Sequence, residues 1–496
     1  MSGRRIAIPS CQRENCHSRQ QDKAAAADGR LSERFLIQVW QRLPVRTGLI
    51  SEQGEIIQLI YPGRENDDQG ADLKDAVISL DQELVKGDIE FHRWSSDWKK
   101  HHHHQNPAYN STILHVVMWR DTESVTYLQS GRRVPILVLS RYLETTARKC
   151  IRTGYATDFS ALPCYQAARA LPIEKIAEML DAAGRERFLA KAAAFQDGLS
   201  RDTPEQTLYR GIMGALGYSK NKLPFEELAD RVPLHRLEAA FKRPLTDDQC
   251  LAQQQALLLG TAGLLPSQQG IGHAVVTSAH WVETLERYWS EYDHSHKMST
   301  DSWCLVKVRP NNSPVRRIAG ISYLLLRYRK EGILEEITNL ISEIRIDQAY
   351  LALVAGLTVM ASDYWKTHYD FGCYSRHIAP ALIGGSRAAA IAVNIVLPFT
   401  YAWSRLKAKP ELVAKTLAIF STSPKPGTNA IERHISKQLV RSGVPINSAQ
   451  RQQGLIHIYK TLCTQGKCAV CPLGAAAKGQ GQQQTYVVSP DAPIAA

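Results

Sequence analysis

Residues Pro62 to Val117 read PGRENDDQGADLKDAVISLDQELVKGDIEFHRWSSDWKKHHHHQNPAYNSTILHVV. Within this stretch Asp88, Glu90 and His92 alternate with Ile89 and Phe91. Successive strand side chains point to opposite faces, so the alternation places three polar groups on one side of a sheet and two apolar groups in a core. Asp72 follows the glycine turn at Gly70 and opens the preceding β-rich run, Leu73–Leu80. If the two runs pair as hairpin neighbours, Asp72 meets Glu90 at one end of the sheet. Further strands are expected at Glu55–Tyr61, Ile113–Trp119 and Val134–Leu139, with turns at Pro62-Gly63, Lys86-Gly87, Asn106-Pro107 and Ser130-Gly131.

Working outward, Ser32-Glu33-Arg34-Phe35 opens a helix before these strands, with Ser32 as its N-cap and Phe35, Leu36, Val39, Trp40 and Leu43 at helical spacing. After Glu144 the pattern changes to helix upon helix, as in Ile173–Ala183, Glu205–Leu216, Leu234–Phe241, Val315–Tyr328 and Ile346–Ala361. No fixed repeat period links them, which disfavours a solenoid. The expected organisation is a disordered tail over 1–30, an α+β or α/β domain over 31–145, an all-α domain over 146–474 and a second tail over 475–496. The most apolar stretch, Ala388–Trp403, is shorter than the ~20 residues of a membrane span and contains Asn394 and Pro398, so a buried core helix is expected.

The chain has 496 residues, a net charge of +12 and a pI near 9.1, which excludes an acidic disordered protein and suits an anionic partner such as nucleic acid. Residues 301–330 hold seven Lys or Arg and one Asp, a net of 7 − 1 = +6. Arg309, Arg316 and Arg317 lie there, either as a phosphate-contacting surface or as an ordinary exposed helix face. Residues 1–30 carry no apolar run of the kind that exports a protein, and the ten cysteines are mostly isolated, so a cytoplasmic chain with reduced thiols is expected. Cys11, Cys16 and His17 in that tail are a weak metal-site candidate.

A carboxylate pair from adjacent strands, Asp72 and Glu90, suits a hard divalent cation such as Mg²⁺ or Mn²⁺. His92, on the same face, is placed to orient or deprotonate a water on that cation. The four histidines His101 to His104 suit a transition metal, but consecutive residues on one element cannot all point one way, and a polar loop over the sheet is the competing reading. His115, inside an apolar strand, reads as a hydrogen-bonded core histidine.

The pattern Asp72 … Glu90-x-His92, with a helix first and three strands following, resembles the PD-(D/E)XK phosphodiesterase superfamily, with His92 in the usual Lys position. That resemblance implies a metal-dependent nuclease and adds Glu33, on the first helix, as an acidic residue facing the site. The alternatives are a catalytically inactive nucleic-acid-binding protein of the same fold, or a structural or regulatory protein. GDIEFHRWSSDWKKHHHHQNPAYNSTILHVVMW, LYRGIMGALGYSKNKLPFEELA, VRPNNSPVRRIAG and GLIHIYKTLCTQGKCAVCPLG resemble the bacterial domain-of-unknown-function family 2851 over about residues 31–474. The family pattern carries Asp where this chain has Asn106, which favours a structural role there.

Near the end, Cys463, Cys468 and Cys471 form Cys-x4-Cys-x2-Cys-Pro, a turn able to aim sulfurs at one metal, and the loop is similar to the iron–sulfur loop of adenine DNA glycosylases. A structural zinc or iron–sulfur site is expected, with His457 as first choice for the missing ligand and Cys373 or Cys304 behind it.

Overall fold

The computed structural model describes residues 32–42, 48–142, 162–270, 280–305, 308–375, 381–439 and 443–476. The two expected tails therefore lie outside the described residues, apart from the last turn of helix at Ala475 and Ala476, and so do Cys11, Cys16 and His17. The chain is mixed α+β, an N-terminal sheet followed by a helical region, and forms two compact units. One comprises residues 1–176, 433–444 and 458–496; the other comprises 177–432 and 445–457. The segment carrying Cys463, Cys468 and Cys471 thus belongs with the sheet and not, as its place in the sequence suggests, with the end of the helical domain.

The sheet is built from β1 (Gly48–Ile50), β2 (Ile56–Tyr61), β3 (Arg64–Glu65), β4 (Leu73–Leu80), β5 (Glu83–Trp94) and β6 (Thr112–Trp119). After a small ribbon of β7 (Thr126–Tyr127) and β8 (Arg133–Val134), β9 (Ile136–Val138) completes it. The order is β1-β2-β4-β5-β6-β9, with β3 pairing the start of β4. Neighbours from β1 to β5 are antiparallel, whereas β5–β6 and β6–β9 are parallel. A parallel neighbour needs a crossover, and the segment from Ser95 to Ser111 supplies it.

The expected strand at Asp88 starts five residues earlier. Its turn is at Asp81 and Gln82, both with positive φ (47° and 73°), which is the backbone twist of a two-residue hairpin. Gly87 is therefore not a turn residue. A Cβ there would come within 2.4 Å of Ile113 Cγ2 and of Ser111 O, so glycine allows β5 and the start of β6 to approach. The run expected as one strand over Val134–Leu139 is split at Pro135, which lacks a ladder donor.

One face of the sheet carries Ile57, Leu59, Ile78, Ile89 and Phe91, packed with Leu36, Val39 and Trp40 of the helix Glu33–Arg42. Phe35 N–H reaches Ser32 Oγ at 3.3 Å, the cap read from the sequence. Trp40 meets Phe91 edge-on at 6.1 Å and donates its indole N–H to Pro62 O at 3.1 Å, which fixes that helix against the sheet.

The helical unit has its own core, from Phe188 and Leu208 through Leu258, Ile318, Ile337 and Val396 to Phe420. The helix at Pro314–Arg327 lies almost wholly inside it, Arg316 and Arg317 included. Gly385–Leu406 is long and apolar enough to cross a membrane by length and composition, and 61% of its most apolar window is buried within the protein. It contains a π-helical turn, Ala392–Val396, just before Pro398, whose missing N–H leaves the regular ladder one donor short.

Candidate metal and acid–base centre

The pairing of β4 with β5 sets Leu73 opposite Ile89, so Asp72 and Glu90 come together at one end of the sheet. They are interlocked through the backbone. Asp72 N–H donates to Glu90 Oε2 at 3.0 Å, and Phe91 N–H donates to Asp72 Oδ2 at 3.0 Å. Glu90 Oε1 then faces two imidazoles, with His103 Nε2 at 3.2 Å and His92 Nε2 at 3.6 Å.

His101 and His103 join His92 because the chain turns sharply between them. The short helix Asp97–Lys100 ends at His101, His102 takes a left-handed conformation (φ 58°, ψ 26°), and a 3-10 turn begins at His103. The effect is alternation. His92, His101 and His103 place one nitrogen each within 4.8 Å of one another. His92 Nε2 lies 3.2 Å from His101 Nδ1. Tyr109 stacks on His103 with ring centroids 3.9 Å apart, and the buried Trp98 meets the rings of His92, His103 and His115 edge-on or tilted. Asn106 caps the next 3-10 turn by accepting the Ala108 N–H at 3.0 Å, the structural role expected of it.

His115 is a hydrogen-bonded core histidine, fully buried, as its apolar strand suggested. Its Nε2 is 2.9 Å from His92 Nδ1 and its Nδ1 is 2.9 Å from Thr126 Oγ1. A proton on His92 Nδ1 given to His115 leaves His92 Nε2 as a lone pair aimed at His101 and Glu90. Such a partner holds a ligating imidazole in one tautomer. Asp88, on the same face as Glu90, is instead satisfied locally, by Lys74 Nζ at 2.6 Å, by Ser111 Oγ and by the Asp75 N–H at 3.2 Å.

The electrostatics are those of a site short of positive charge. Burial, then the neighbouring Glu90, pushes the Asp72 carboxyl up to about 7. Burial raises Glu90 to about 8, against the pull of the Asp72 N–H and with a further push from Glu33. Burial likewise raises Glu33, which feels His101, Asp97 and His103, so the first helix does bring an acid to this end of the sheet. Burial drives His92 far below the imidazole range, with His115, His103 and His101 adding to it; it lowers His103 and takes His115 down to about 3. Imidazoles of His92 and His103 whose protonation burial opposes, facing two carboxyls whose ionisation burial opposes, are an arrangement that a divalent cation would reverse.

The arginines are a correction. Arg316 and Arg317 do not form an exposed phosphate-contacting surface, because both are buried. Arg316 gives Nε to Asn311 Oδ1 at 2.8 Å and Nη1 to the carbonyls of Trp365 and His368 at 2.9 and 2.6 Å. Arg317 gives Nη2 to Asn312 Oδ1 at 2.6 Å and to Tyr218 Oη at 3.1 Å, and Nη1 to Leu382 O. Their sequence neighbour Arg309 is exposed. The charge run misled because the polar faces of this helix meet carbonyls and amides rather than water. Lys99 and Lys100, just before His101 in sequence, are exposed, and Lys100 pairs with Asp97 at 3.0 Å.

Of the cysteines near the end, Cys463 and Cys471 are buried and Cys468 half-buried, and none of the three is in a disulfide. His457, proposed as their partner, sits in the helical unit with Nε2 3.3 Å from Glu186 Oε2. Burial raises the thiols of Cys463 and Cys471.

The family model described as "Protein of unknown function (DUF2851)" matches residues 33–428. The chain belongs to this family. The match takes in Asp72, Glu90, the histidines and Asn106, and stops before the cysteine loop. Neither a curated protein nor a solved structure matches the chain. For this DUF2851 protein the site's chemistry is thus read from its own residues.

Proposed function

We propose that the protein is a metal-dependent phosphodiesterase acting on nucleic acid, with its cation held by Glu90, Asp72 and the imidazoles of His92, His101 and His103. The observation that carries this is the convergence at Glu90 Oε1, which faces His103 and His92 while its other oxygen is tied to the Asp72 backbone. The PD-(D/E)XK resemblance is supported by the order of pairing, an antiparallel β2-β4-β5 followed by a parallel β6, with a helix on the opposite face. Imidazoles favour Mn²⁺ or Zn²⁺ over Mg²⁺, which prefers oxygen ligands and water, so within the expected Mg²⁺ or Mn²⁺ the donor set favours Mn²⁺.

A cation there would stabilise charge on a phosphoryl oxygen and make a water more acidic. Asp72 and Glu90 each keep one carboxylate oxygen free of backbone N–H and release their protons to hold the cation. His92 is a poor base, since its two nitrogens already face His115 and His101. His101 is exposed at the mouth of the site. Lys99 and Lys100, adjacent to it in sequence, on a chain of net charge +12, suit a phosphate backbone.

Incubation of supercoiled DNA and of single-stranded RNA with the full chain and Mn²⁺ or Zn²⁺ tests this reading. Cleavage that Glu90→Gln and Asp72→Asn both abolish supports it. Tight metal binding with neither nucleic acid cut would favour the inactive binding protein, a reading that His92 in the Lys position also suits. Absence of any bound metal would overturn the phosphodiesterase reading.

A further inference from the structure

We infer that Cys164 is the fourth ligand, with Cys463, Cys468 and Cys471, of an iron–sulfur cluster in the sheet-bearing unit. Cys164 lies some 300 residues before the other three, in the first turn of the helix Pro163–Ala170. That helix packs against the short helix Pro472–Ala476, which begins immediately after Cys471. The four thiols are near enough that Cys164 and Cys463 each feel the charge of the other three or of two of them. Both segments belong to the same unit.

The surroundings are those of a ligand cradle. The loop turns at Gly466 (φ 66°), whose Cβ position lies 3.1 Å from Ile60 Cγ2 and 3.2 Å from Val77 Cγ1, so the loop is seated on β2 and β4. Lys467 N–H closes back on Leu462 O at 2.9 Å, and Cys471 N–H on Lys467 O at 3.1 Å. The Cys471 sulfur accepts the backbone N–H groups of Leu473 and Gly474, which hold it in the turn. Cys164 Sγ reaches Gln438 Oε1 at 3.5 Å, on the helix Ala430–Leu439. Leu162 and Tyr165 pack around it in a small apolar cluster.

The spread of the sulfurs selects the class of metal. Tetrahedral zinc with bonds of about 2.3 Å brings its sulfurs to within about 3.8 Å of one another. Among the described residues the group whose ligand atoms gather within 4.8 Å is the histidine one, not the cysteines. A multi-iron cluster binds its thiolates at different irons and so accepts a wider set. His457, the ligand expected from the sequence, is engaged by Glu186, and Cys164 takes its place.

The test is iron, sulfide and zinc analysis of the anaerobically purified full chain, with its visible spectrum. Iron and sulfide in equal amounts, lost in Cys164→Ser but retained in Cys304→Ser, are expected. Stoichiometric zinc without iron, no metal at all, or full iron retention in Cys164→Ser would overturn the inference. Should Cys164→Ser fail to fold, alkylation of the native wild-type chain still decides. Cys164 should be protected together with Cys463, Cys468 and Cys471 until a chelator strips the iron, and labelling of Cys164 in the iron-loaded protein would refute its role.

Discussion

The histidine–carboxylate centre and the arginine pocket both bury charge-bearing side chains, and they resolve it in opposite ways. Arg316 meets an amide and two carbonyls, so its positive charge is answered by fixed dipoles of the helical unit. Asp72 and Glu90 meet two backbone N–H groups and otherwise face each other and imidazoles, so their charge has no answer and they hold protons instead. A buried ionic group whose partners are all backbone and amide is part of the scaffold. A buried set of acids and bases whose charged forms burial opposes has the electrostatics that a bound cation would reverse, which is why the reading proposed above places a metal there.

The sharpest way to break this contrast is Arg316→Ala. It would leave Asn311 Oδ1 and the carbonyls of Trp365 and His368 without a buried donor, at a cost on the order of 3–5 kcal/mol, read as a lower urea midpoint. The nucleic-acid affinity of the fraction that stays folded should be unchanged. A stable variant with weakened, less salt-dependent binding would restore the surface reading of the helix.

His115→Phe probes the other side. It keeps the apolar contacts with Trp98 but removes the acceptor that orients His92, and should weaken Mn²⁺ or Zn²⁺ binding by about 10- to 100-fold. Calorimetric titration reads the change, and an unaltered affinity would mean that His92 is not a ligand.

The third test is pH. The folded carboxyls of Asp72 and Glu90 are raised above their unfolded values, so above pH 4–5 the folded state binds more protons than the unfolded one. Above about pH 6.5 the unfolded histidines no longer oppose this, and the metal-free protein should lose stability as pH rises toward 8. The folding equilibrium should fall by up to about tenfold per pH unit per carboxyl, and saturating metal should flatten the fall. Denaturation of the chelated protein at pH 6.5, 7.5 and 8.5 measures the slope; a metal-free protein that gains stability over this range would contradict the assignment.

The smallest effect is expected at Asn106. Asp caps a turn as well as Asn does, so Asn106→Asp should shift stability by less than about 0.5 kcal/mol and leave metal affinity alone. A large change in metal binding would make position 106 part of the site.

Strand periodicity made the acidic face legible, because Glu90 and His92 share a face wherever the strand begins, and a hairpin was enough to add Asp72. The convergence of His101 and His103 was not legible, since it depends on one left-handed residue, His102, that nothing in a run of four histidines singles out. The hairpin turn was misplaced because Gly87 looks like a turn residue, whereas Asp81 and Gln82 carry the positive φ. Arg316 and Arg317 read as surface because charge runs usually are, and their carbonyl partners come from segments about 50 to 65 residues away. Cys164 was invisible beside the other cysteines for the same reason of chain distance.

The seat of Gly466 on Ile60 and Val77 has a consequence for biosynthesis. The ribosome delivers the sheet strands first and the cysteine loop only after the whole helical unit, a delay on the order of tens of seconds at ordinary elongation rates. During that interval Ile60 and Val77 lack the loop that seats on them in the finished fold. A nascent chain in this state is a natural client for a chaperone, and the release of that client should coincide with emergence of the loop rather than with completion of the sheet.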